Sequence, residues 1–323
     1  YLGTSMYSLL DSNEQLDFDV IVLSLGISSD NKKKLNEIAE KFKRTIDYID
    51  GENIESQIEQ WGVPRYFGSY AIYMRPLIPQ LISEQYKICV VLESDTLVIG
   101  KIDNIVRKAL TLENECVIMA RNSENAKIRQ KYGLPQDAVT INPGVMIINM
   151  NNWKKNDCTN KFVEEFKCTN LLSYVTLDEI VYSKVLYGKI SIPNFNEIAY
   201  PCFSDLSGKQ LLFMFGLSEK EYYSAEEIDR AKGKEIILHF VNVLGHPWEL
   251  GGESTVPMGA LWREYYKHTP FYSDLVEWET PRKFNCKRKI ILRVYKYSKW
   301  LYVIVNRLFL ELSLRKSKRN DGI

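Results

Sequence analysis

Short apolar runs alternate with segments of helical periodicity along the first half of the chain. Residues 18–25 (FDVIVLSL) are β-rich and apolar throughout, the pattern of a buried strand. Behind them Ser29 or Asp30 can cap a helix whose Leu35, Ile38, Ala39 and Phe42 share one face. Residues 45–49 predict a second strand, which makes a β-α-β unit and hence a parallel pair with a right-handed crossover. A helix is expected over 69–81, a central strand over 87–92 (KICVVL) and a short strand over 96–99. Further strands are expected over 115–120, 138–150, 189–192 and 235–240, and residues 159–187 read as mostly helical. No repeat or low-complexity linker interrupts the pattern. The prediction is an α/β chain with one domain over 1–280, built on a mixed, mostly parallel central sheet flanked by helices.

Residues 281–323 behave differently. Ile290, Val294, Tyr297, Leu301, Ile304, Leu308 and Leu312 recur at three- and four-residue steps, as on an amphipathic helix. This tail holds thirteen Lys+Arg and two Asp+Glu, whereas the rest holds 29 and 39, so an acidic body carries a strongly basic tail. Asn306 and Arg307 interrupt the apolar stretch, which is too short to cross a bilayer. Trp300 and Tyr302 are aromatics of the kind found at headgroup depth. The tail is therefore expected to lie on an anionic membrane surface, with docking onto the acidic body as the alternative. The apolar face argues against nucleic acid as its partner.

The 323 residues have an ordinary globular composition, 45% hydrophobic and 26% charged. Six cysteines are widely spaced without a Cys-x-x-Cys pair, which argues against a zinc site and a disulfide framework and suits a reducing cytoplasm.

Candidate chemistry gathers at strand ends. Residues 90–100 (VVLESDTLVIG) end a buried strand in Glu93-Ser94-Asp95, and carboxylates at i and i+2 across a tight turn can share one hard cation. A solvated acidic turn is the plainer reading. Asn142 and Gly144 open the strand VMIIN, where glycine lets backbone approach a ligand and the amide can bond a sugar hydroxyl. His239, one of three histidines, sits at a strand end, where it can complete a metal site or serve as a structural hydrogen bonder. Gly245-His246-Pro247-Trp248 follows. Asp178-Glu179 begins a helix, where carboxylates also suit the helix dipole.

In this order the pieces resemble glycosyltransferase family 8, retaining enzymes that include bacterial lipopolysaccharide galactosyl- and glucosyltransferases. The resemblance runs from residue 1 to about residue 272. Tyr1-Leu2-Gly3-Thr4-Ser5 and Tyr7-Ser8-Leu9-Leu10 look like the family's first helix. The strand and uridine-binding turn that precede it in the family have no counterpart, which predicts weak UDP-sugar binding by this chain alone. Tyr73-x-Arg75 matches a helix whose arginine contacts the donor. Residues 92–98 match Leu-Asp-x-Asp-x-x-Val, residues 142–149 match Asn-x-Gly-Val-x-x-Ile-Asn, and residues 178–188 match the segment from Asp-Gln-Asp to Gly. Residues 239–248 match the closing His-x-x-Gly-x-x-Lys-Pro-Trp block.

The resemblance implies a GT-A type fold and transfer of a hexose, galactose or glucose, from a UDP-sugar to a glycan or lipid-linked glycan acceptor. It implies metal ligands Glu93, Asp95 and His239, with Mn²⁺ favoured and Mg²⁺ the alternative. Donor contacts fall to Arg75, Ser94, Asn142, Gly144, Gly245 and His246, and catalytic roles to Glu179 and Asp178. The expected setting is cell-surface polysaccharide synthesis at the cytoplasmic face of the cell membrane. Departures are specific. Glu93 replaces the first Asp, Glu179 stands for Gln, Ile180 for the second Asp and His246 for Lys, while Asn242 and Gly245 compete for the Gly position. They predict divergent specificity, a different nucleotide sugar, or a weakened relative that binds without turnover. Glu179, a carboxylate where the family has an amide, can act as a covalent nucleophile.

Overall fold

The structure, a computed structural model, describes residues 1–66, 68–124, 126–168, 177–241, 244–249, 256–274 and 286–320. Side chains of residues 128, 177, 274, 286–289 and 313–320 are not described. The part of the expected helical region at 169–176, the position of Asn242 and the expected boundary at 280/281 lie outside the described residues.

Helix α1 (Leu2–Ser12) leads into β1 (Val20–Ser24), α2 (Ser29–Lys41) and β2 (Ile46–Asp50). β1 and β2 pair in parallel, Val20 opposite Ile46, so the β-α-β unit read from periodicity is present. Its cap differs: Ser28, not Ser29 or Asp30, accepts the Asn31 N–H. Helix α3 (Glu52–Glu59) was not foreseen. The helix expected over 69–81 is broken into α4 (Ala71–Met74), a 3₁₀ turn (Arg75–Leu77) and α5 (Ile78–Leu81). Pro76 and Pro79, each without an N–H, account for the break.

Next come β3 (Ile88–Leu92), β4 (Thr96–Val98), α6 (Asp103–Leu110), β5 (Val117–Ile118), α7 (Ala126–Lys131) and β6 (Val145–Asn149). Helices α8 (Met150–Lys155), α9 (Cys158–Cys168) and α10 (Leu177–Val185) follow, then β7 (Ile190–Ser191), β8 (Ile198–Ala199), α11 (Gly208–Phe215), α12 (Ala225–Ala231) and β9 (Ile237–His239). The chain closes with α13 (Gly259–Lys267), α14 (Cys286–Tyr297) and α15 (Lys299–Asn320).

Two further sheets, in the orders β3-β6-β5-β7 and β4-β9-β8, mix parallel and antiparallel pairs. β6 is buried on both faces: Val145 and Ile147 enter one hydrophobic core, Met146 and Ile148 the other. That is why its sequence is a continuous apolar run. Among the described residues β4 pairs with β9 alone, and α1 covers its other side with hydroxyls. Ser8 Oγ accepts the Val98 N–H at 2.9 Å, and Ser12 Oγ donates to the Val98 carbonyl at 2.9 Å. A serine stripe on α1 thus satisfies backbone groups that a neighbouring strand would otherwise pair.

The tail is docked. Tyr295, Tyr302 and Val303 are buried in the same core as β5, β6 and α11. Tyr295 Oη and Lys299 Nζ both donate to Asp205, at 3.0 and 2.9 Å, and Arg307 Nη1 reaches the Phe213 carbonyl at the end of α11 at 3.4 Å. Lys127 on α7 pairs with Glu311 at 3.0 Å. Most of the apolar stripe expected from sequence is on the opposite side: Ile290, Tyr297, Leu301, Ile304, Leu308 and Leu312 are exposed, together with Trp300, whereas Val294 packs against the core and Tyr302, expected at headgroup depth, is buried because it faces the body. Among the described residues no helix is long and apolar enough to cross a membrane.

Candidate active site

The turn between β3 and β4 carries the chain from one sheet to the other, and this crossing builds the site. The Glu93 carbonyl accepts both the Thr96 N–H at 3.1 Å and the Thr96 hydroxyl at 2.7 Å, closing a tight turn around Ser94 and Asp95. Thr96 pairs with His239 across β4 and β9, and the Asp95 carbonyl accepts the Phe240 N–H at 2.9 Å. Glu93 donates its N–H to the Gly144 carbonyl, extending the β3–β6 ladder. Three segments distant in sequence therefore meet at one point.

Glu93, Asp95 and His239 place one ligand atom each within 4.8 Å of one another. His239 Nε2 lies 3.2 Å from Glu93 Oε2 and 3.2 Å from Asp95 Oδ1. Gly144 makes room for them. A Cβ there would sit 2.1 Å from His239 Cε1 and 2.6 Å from Glu93 Oε2. Its requirement is space, because its backbone is not among the positive-φ glycines.

Arg75 joins this cluster to α10. Its Nη1 is 3.0 Å from Glu93 Oε1 and its Nη2 is 2.5 Å from Asp178 Oδ2. Burial works against the Arg75 charge, but Glu93 and Asp178 outweigh it and raise its pKa. Burial also opposes charge on Glu93, yet Arg75 and His239 hold its carboxyl down at about 2. For His239 burial favours the neutral ring, and the facing Asp95 and Glu93 reverse this, lifting it to about 10. One oxygen of Glu93 thus serves Arg75 while the other faces His239. His239 Nδ1 is buried with no hydrogen-bond partner.

Asn142 bonds two neighbours within the site. Its Oδ1 accepts the Gly144 N–H at 2.9 Å, and its Nδ2 donates to Glu179 Oε1 at 2.9 Å. Glu179 is further fixed because its own carbonyl accepts the Ser183 hydroxyl, and Ser183 Oγ accepts the Ile141 N–H. Of the residues singled out from sequence, Arg75, Glu93, Asp95, Asn142, Gly144, Asp178, Glu179 and His239 form one linked cluster. Ser94 is exposed on the turn. Gly245 has φ 115° and precedes His246, whose ring stacks on Trp248 at 4.4 Å and whose Nδ1 lies 3.4 Å from Glu249 Oε1.

Sequence reasoning missed three contributors. Tyr182 lies under the Arg75 guanidinium, 5.9 Å from ring centre to Cζ. Ser5 of α1 shares a 2.8 Å hydrogen bond with Thr96 behind the acidic turn. Tyr66 is partly exposed, and its phenol pKa is raised by burial and then by the charges of Asp178, Glu179 and Glu93. Tyr66 and Ser69 exchange backbone hydrogen bonds around a turn with Gly68 at φ 83°. Turn glycine was the only available signal, and it does not identify which side chain faces the carboxylates.

The arrangement offers a candidate cation site, a buried guanidinium and a hydrogen-bonded carboxylate, and the fold carrying it recurs among solved glycosyltransferases. The apo structure of the bifunctional glycosyltransferase WbbM matches with TM-score 0.69 and 17% identity, covering 85% of this chain and 48% of that one. The galactosyltransferase LgtC, solved with donor and acceptor sugar analogues, matches with TM-score 0.64 and 17% identity, covering 84% and 92%. These likenesses establish the GT-A type fold. General stress protein A of Bacillus subtilis (strain 168) is 26% identical over 192 residues, 58% of this chain and 65% of its own length. Glycosyltransferase 8 domain-containing protein 1 of Mus musculus is 25% identical over 143 residues, 44% of this chain and 34% of its own length. The chain thus spans less than two thirds of these two relatives. Residues 1–249 match the family described as Glycosyl transferase family 8. With most of its length inside that match and the site built from the matched segments, the chain belongs to glycosyltransferase family 8.

Proposed function

We propose that this glycosyltransferase is a metal-dependent, retaining hexosyltransferase that moves galactose or glucose from a UDP-sugar to a glycan acceptor in cell-surface polysaccharide or lipopolysaccharide synthesis. The observation that carries the reading is the convergence of Glu93, Asp95 and His239 beneath Gly144, beside an oriented Glu179. The donor set fits a divalent ion: two carboxylate oxygens and an imidazole nitrogen face one point, and Arg75 occupies the other Glu93 oxygen. Glu93, Asp95 and His239 would hold such an ion, Mn²⁺ by preference because of the histidine and otherwise Mg²⁺, and it would supply positive charge for the departing diphosphate.

The remaining steps belong to side chains of this chain. Asn142 positions Glu179, whose carboxylate attacks the anomeric carbon as the UDP oxygen leaves. The acceptor hydroxyl then displaces that carboxylate, its proton passing to the departed diphosphate, and two inversions give net retention. Asp178 acts through Arg75 as a positioning residue, holding the guanidinium beside Glu93. Ser94, Gly144, Gly245 and His246 line the donor's path, with His246 a titratable contact for the diphosphate. A second reading, nucleotide-sugar binding without turnover or use of a different donor, is favoured by one observation: the His246 ring is already stacked on Trp248 and near Glu249.

The acceptor is a lipid-linked glycan at the anionic cytoplasmic face of the cell membrane. This is supported by the outward stripe of Trp300, Leu301, Ile304, Leu308 and Leu312 and by the basic sequence at both ends of the tail. Exposed Leu308 replaced by Glu should abolish binding to anionic vesicles while leaving Tm unchanged.

The decisive experiment is a screen of UDP-sugars without acceptor. Release of UDP from UDP-galactose or UDP-glucose, stopped by EDTA, is the expected result. Calorimetric binding with no UDP release would select the non-catalytic reading, and release from an acetamido-sugar donor alone would overturn the hexose assignment.

A further inference from the structure

Cys116, just before β5, and Cys158, the first residue of α9, are 42 residues apart in sequence, yet their sulfurs lie 3.7 Å apart. Both are buried. The Cys158 thiol donates to the Cys116 sulfur, and the Cys116 thiol donates to the Asn152 carbonyl at 3.3 Å. The two partners are not equally free to move. Cys116 is fixed in the sheet on both sides, donating its N–H to Lys189 at 2.8 Å and accepting from the Asn149 N–H at 2.9 Å. Cys158 begins a helix directly after exposed Asp157, a non-glycine residue at φ 52°. Its neighbour Thr159 donates to the Pro76 carbonyl at 2.7 Å and accepts from Trp153 Nε1 at 2.9 Å. Pro76 follows Arg75, which holds Glu93 and Asp178.

We propose that Cys116 and Cys158 are a reversible disulfide site, and that closing it displaces the first turn of α9 and, through Thr159 and Pro76, the Arg75 guanidinium. The reaction is exchange with a small disulfide. The two protein thiols give up two electrons and two protons and form one S–S bond, while the small disulfide is cleaved to two thiols. A disulfide is about 2.05 Å long, so the sulfurs must approach by more than an ångström from 3.7 Å. With Cys116 held by two backbone hydrogen bonds, that movement falls on Cys158 and the start of α9. The wide spacing of the cysteines concealed this pair, because only the fold brings β5 and α9 together. The coupling half of the proposal rests on the glycosyl-transfer reading of the Glu93 cluster, whereas the disulfide itself does not.

The test is incubation of the reduced chain with excess oxidised glutathione, followed by a non-reducing peptide map. The expected result is a cross-link between the peptides holding Cys116 and Cys158, formed equally in Cys168→Ala and absent in Cys158→Ala. UDP-sugar hydrolysis should fall on the order of tenfold to a hundredfold, as for a displacement of about 1 Å at a reacting site, and return with dithiothreitol. Cys158→Ala should keep its turnover in oxidant, and Cys116→Ala serves if that variant does not fold. Both thiols remaining free to alkylation after unfolding would overturn the site. A complete cross-link with unchanged hydrolysis would overturn the coupling. Should the reduced chain hydrolyse no donor, the function reading fails by itself. The coupling is then decided by Mn²⁺ affinity, expected to be weaker in the cross-linked chain and unchanged if the proposal is wrong.

Discussion

Among the described residues, charged or polar side-chain groups are fitted into space that only glycine leaves open at Gly144 and at Gly216. Gly144 admits His239 and Glu93, and Gly216, at the end of α11, admits the Arg307 guanidinium, where a Cβ would lie 1.6 Å from Nη1. The surroundings differ. At Gly144 the guests are held by further partners: Glu93 by Arg75, His239 by two carboxylates, and Arg75 by Asp178. At Gly216 the guest is a partly exposed side chain that also pairs with Glu311. A flexible arginine at the surface can swing away at small cost, but a buried imidazole between two carboxylates has nowhere to go. Close packing around glycine therefore fixes the candidate ion site in the first place and the seat of the tail in the second.

The largest effect is expected from Gly144→Ala. The added methyl must expel His239 or Glu93, so hydrolysis of UDP-sugar should fall on the order of a thousandfold, as when a transition-state stabilising group is removed. Far-UV circular dichroism should stay native, because the residue's φ is one that alanine accepts. Hydrolysis within tenfold of the parent would show that these three side chains do not form the ion site.

Arg75→Met should come next and should be visible in stability as well as activity. It leaves Glu93 and Asp178 facing each other's surroundings without the cation between them. Breaking one partner out of a buried pair costs about 3 kcal/mol or more. Chemical denaturation should report that loss near neutral pH, and a smaller one at acidic pH. The sign follows from Glu93. Its folded pKa lies at about 2, below the ordinary 4.5, so its stabilisation is present above pH 4.5 and lost as pH falls toward 2.

Much of this site was legible in the sequence, and the reasons are specific. A buried strand announces its own end, so Glu93-Ser94-Asp95, Asn142-Pro143-Gly144 and His239 could each be placed at a strand terminus. The union of the first and last of these follows from the Thr96–His239 pairing, which no local pattern encodes. Roles were harder than places. Asn142 is expected to bond a sugar hydroxyl, and the fold adds what its sequence position does not show, bonds from the same amide to Gly144 and Glu179. The tail shows the same limit. Periodicity identified its apolar stripe, but not which side docks. The docked side combines Tyr295, Tyr302 and Val303 with partly buried Ile291, Leu292 and Val294 and with Arg307, and its fit depends on α11 and Asp205. The α1 serines Ser5, Ser8 and Ser12 do recur at three- and four-residue steps, but a polar stripe does not say that it faces the backbone of β4, and Tyr66 meets the carboxylates only through the fold.

Metal binding should sharpen the contrast through pH. In the metal-free chain Asp95 and Glu93 keep His239 protonated up to about pH 10. A raised folded pKa means that this contribution to stability is complete below pH 6.5 and declines as pH rises from 6.5 toward 10. The metal-free chain should therefore lose Tm across that window. Mn²⁺ must displace the proton, so its affinity should rise about tenfold per pH unit over the same range. Calorimetry from pH 6.5 to 8.5 in buffers of different ionisation enthalpy would count the released proton. A pH-independent affinity would mean that His239 is not a ligand.

The smallest effect is expected at the second glycine. Gly216 has φ 65° and closes α11, so alanine there adopts a disfavoured left-handed conformation besides touching Arg307. The strain and the displaced guanidinium together should cost about 1–2 kcal/mol. The loss should appear as a lower Tm with UDP-sugar hydrolysis close to that of the parent, because Arg75, Glu93 and His239 are untouched. Arg307→Ala provides the control. It removes the clash but also the donor to the Phe213 carbonyl, so the double variant Gly216→Ala/Arg307→Ala should be less destabilised than the sum of the two singles. Strict additivity would mean that Arg307 does not occupy the glycine's space, and that backbone strain alone accounts for the cost.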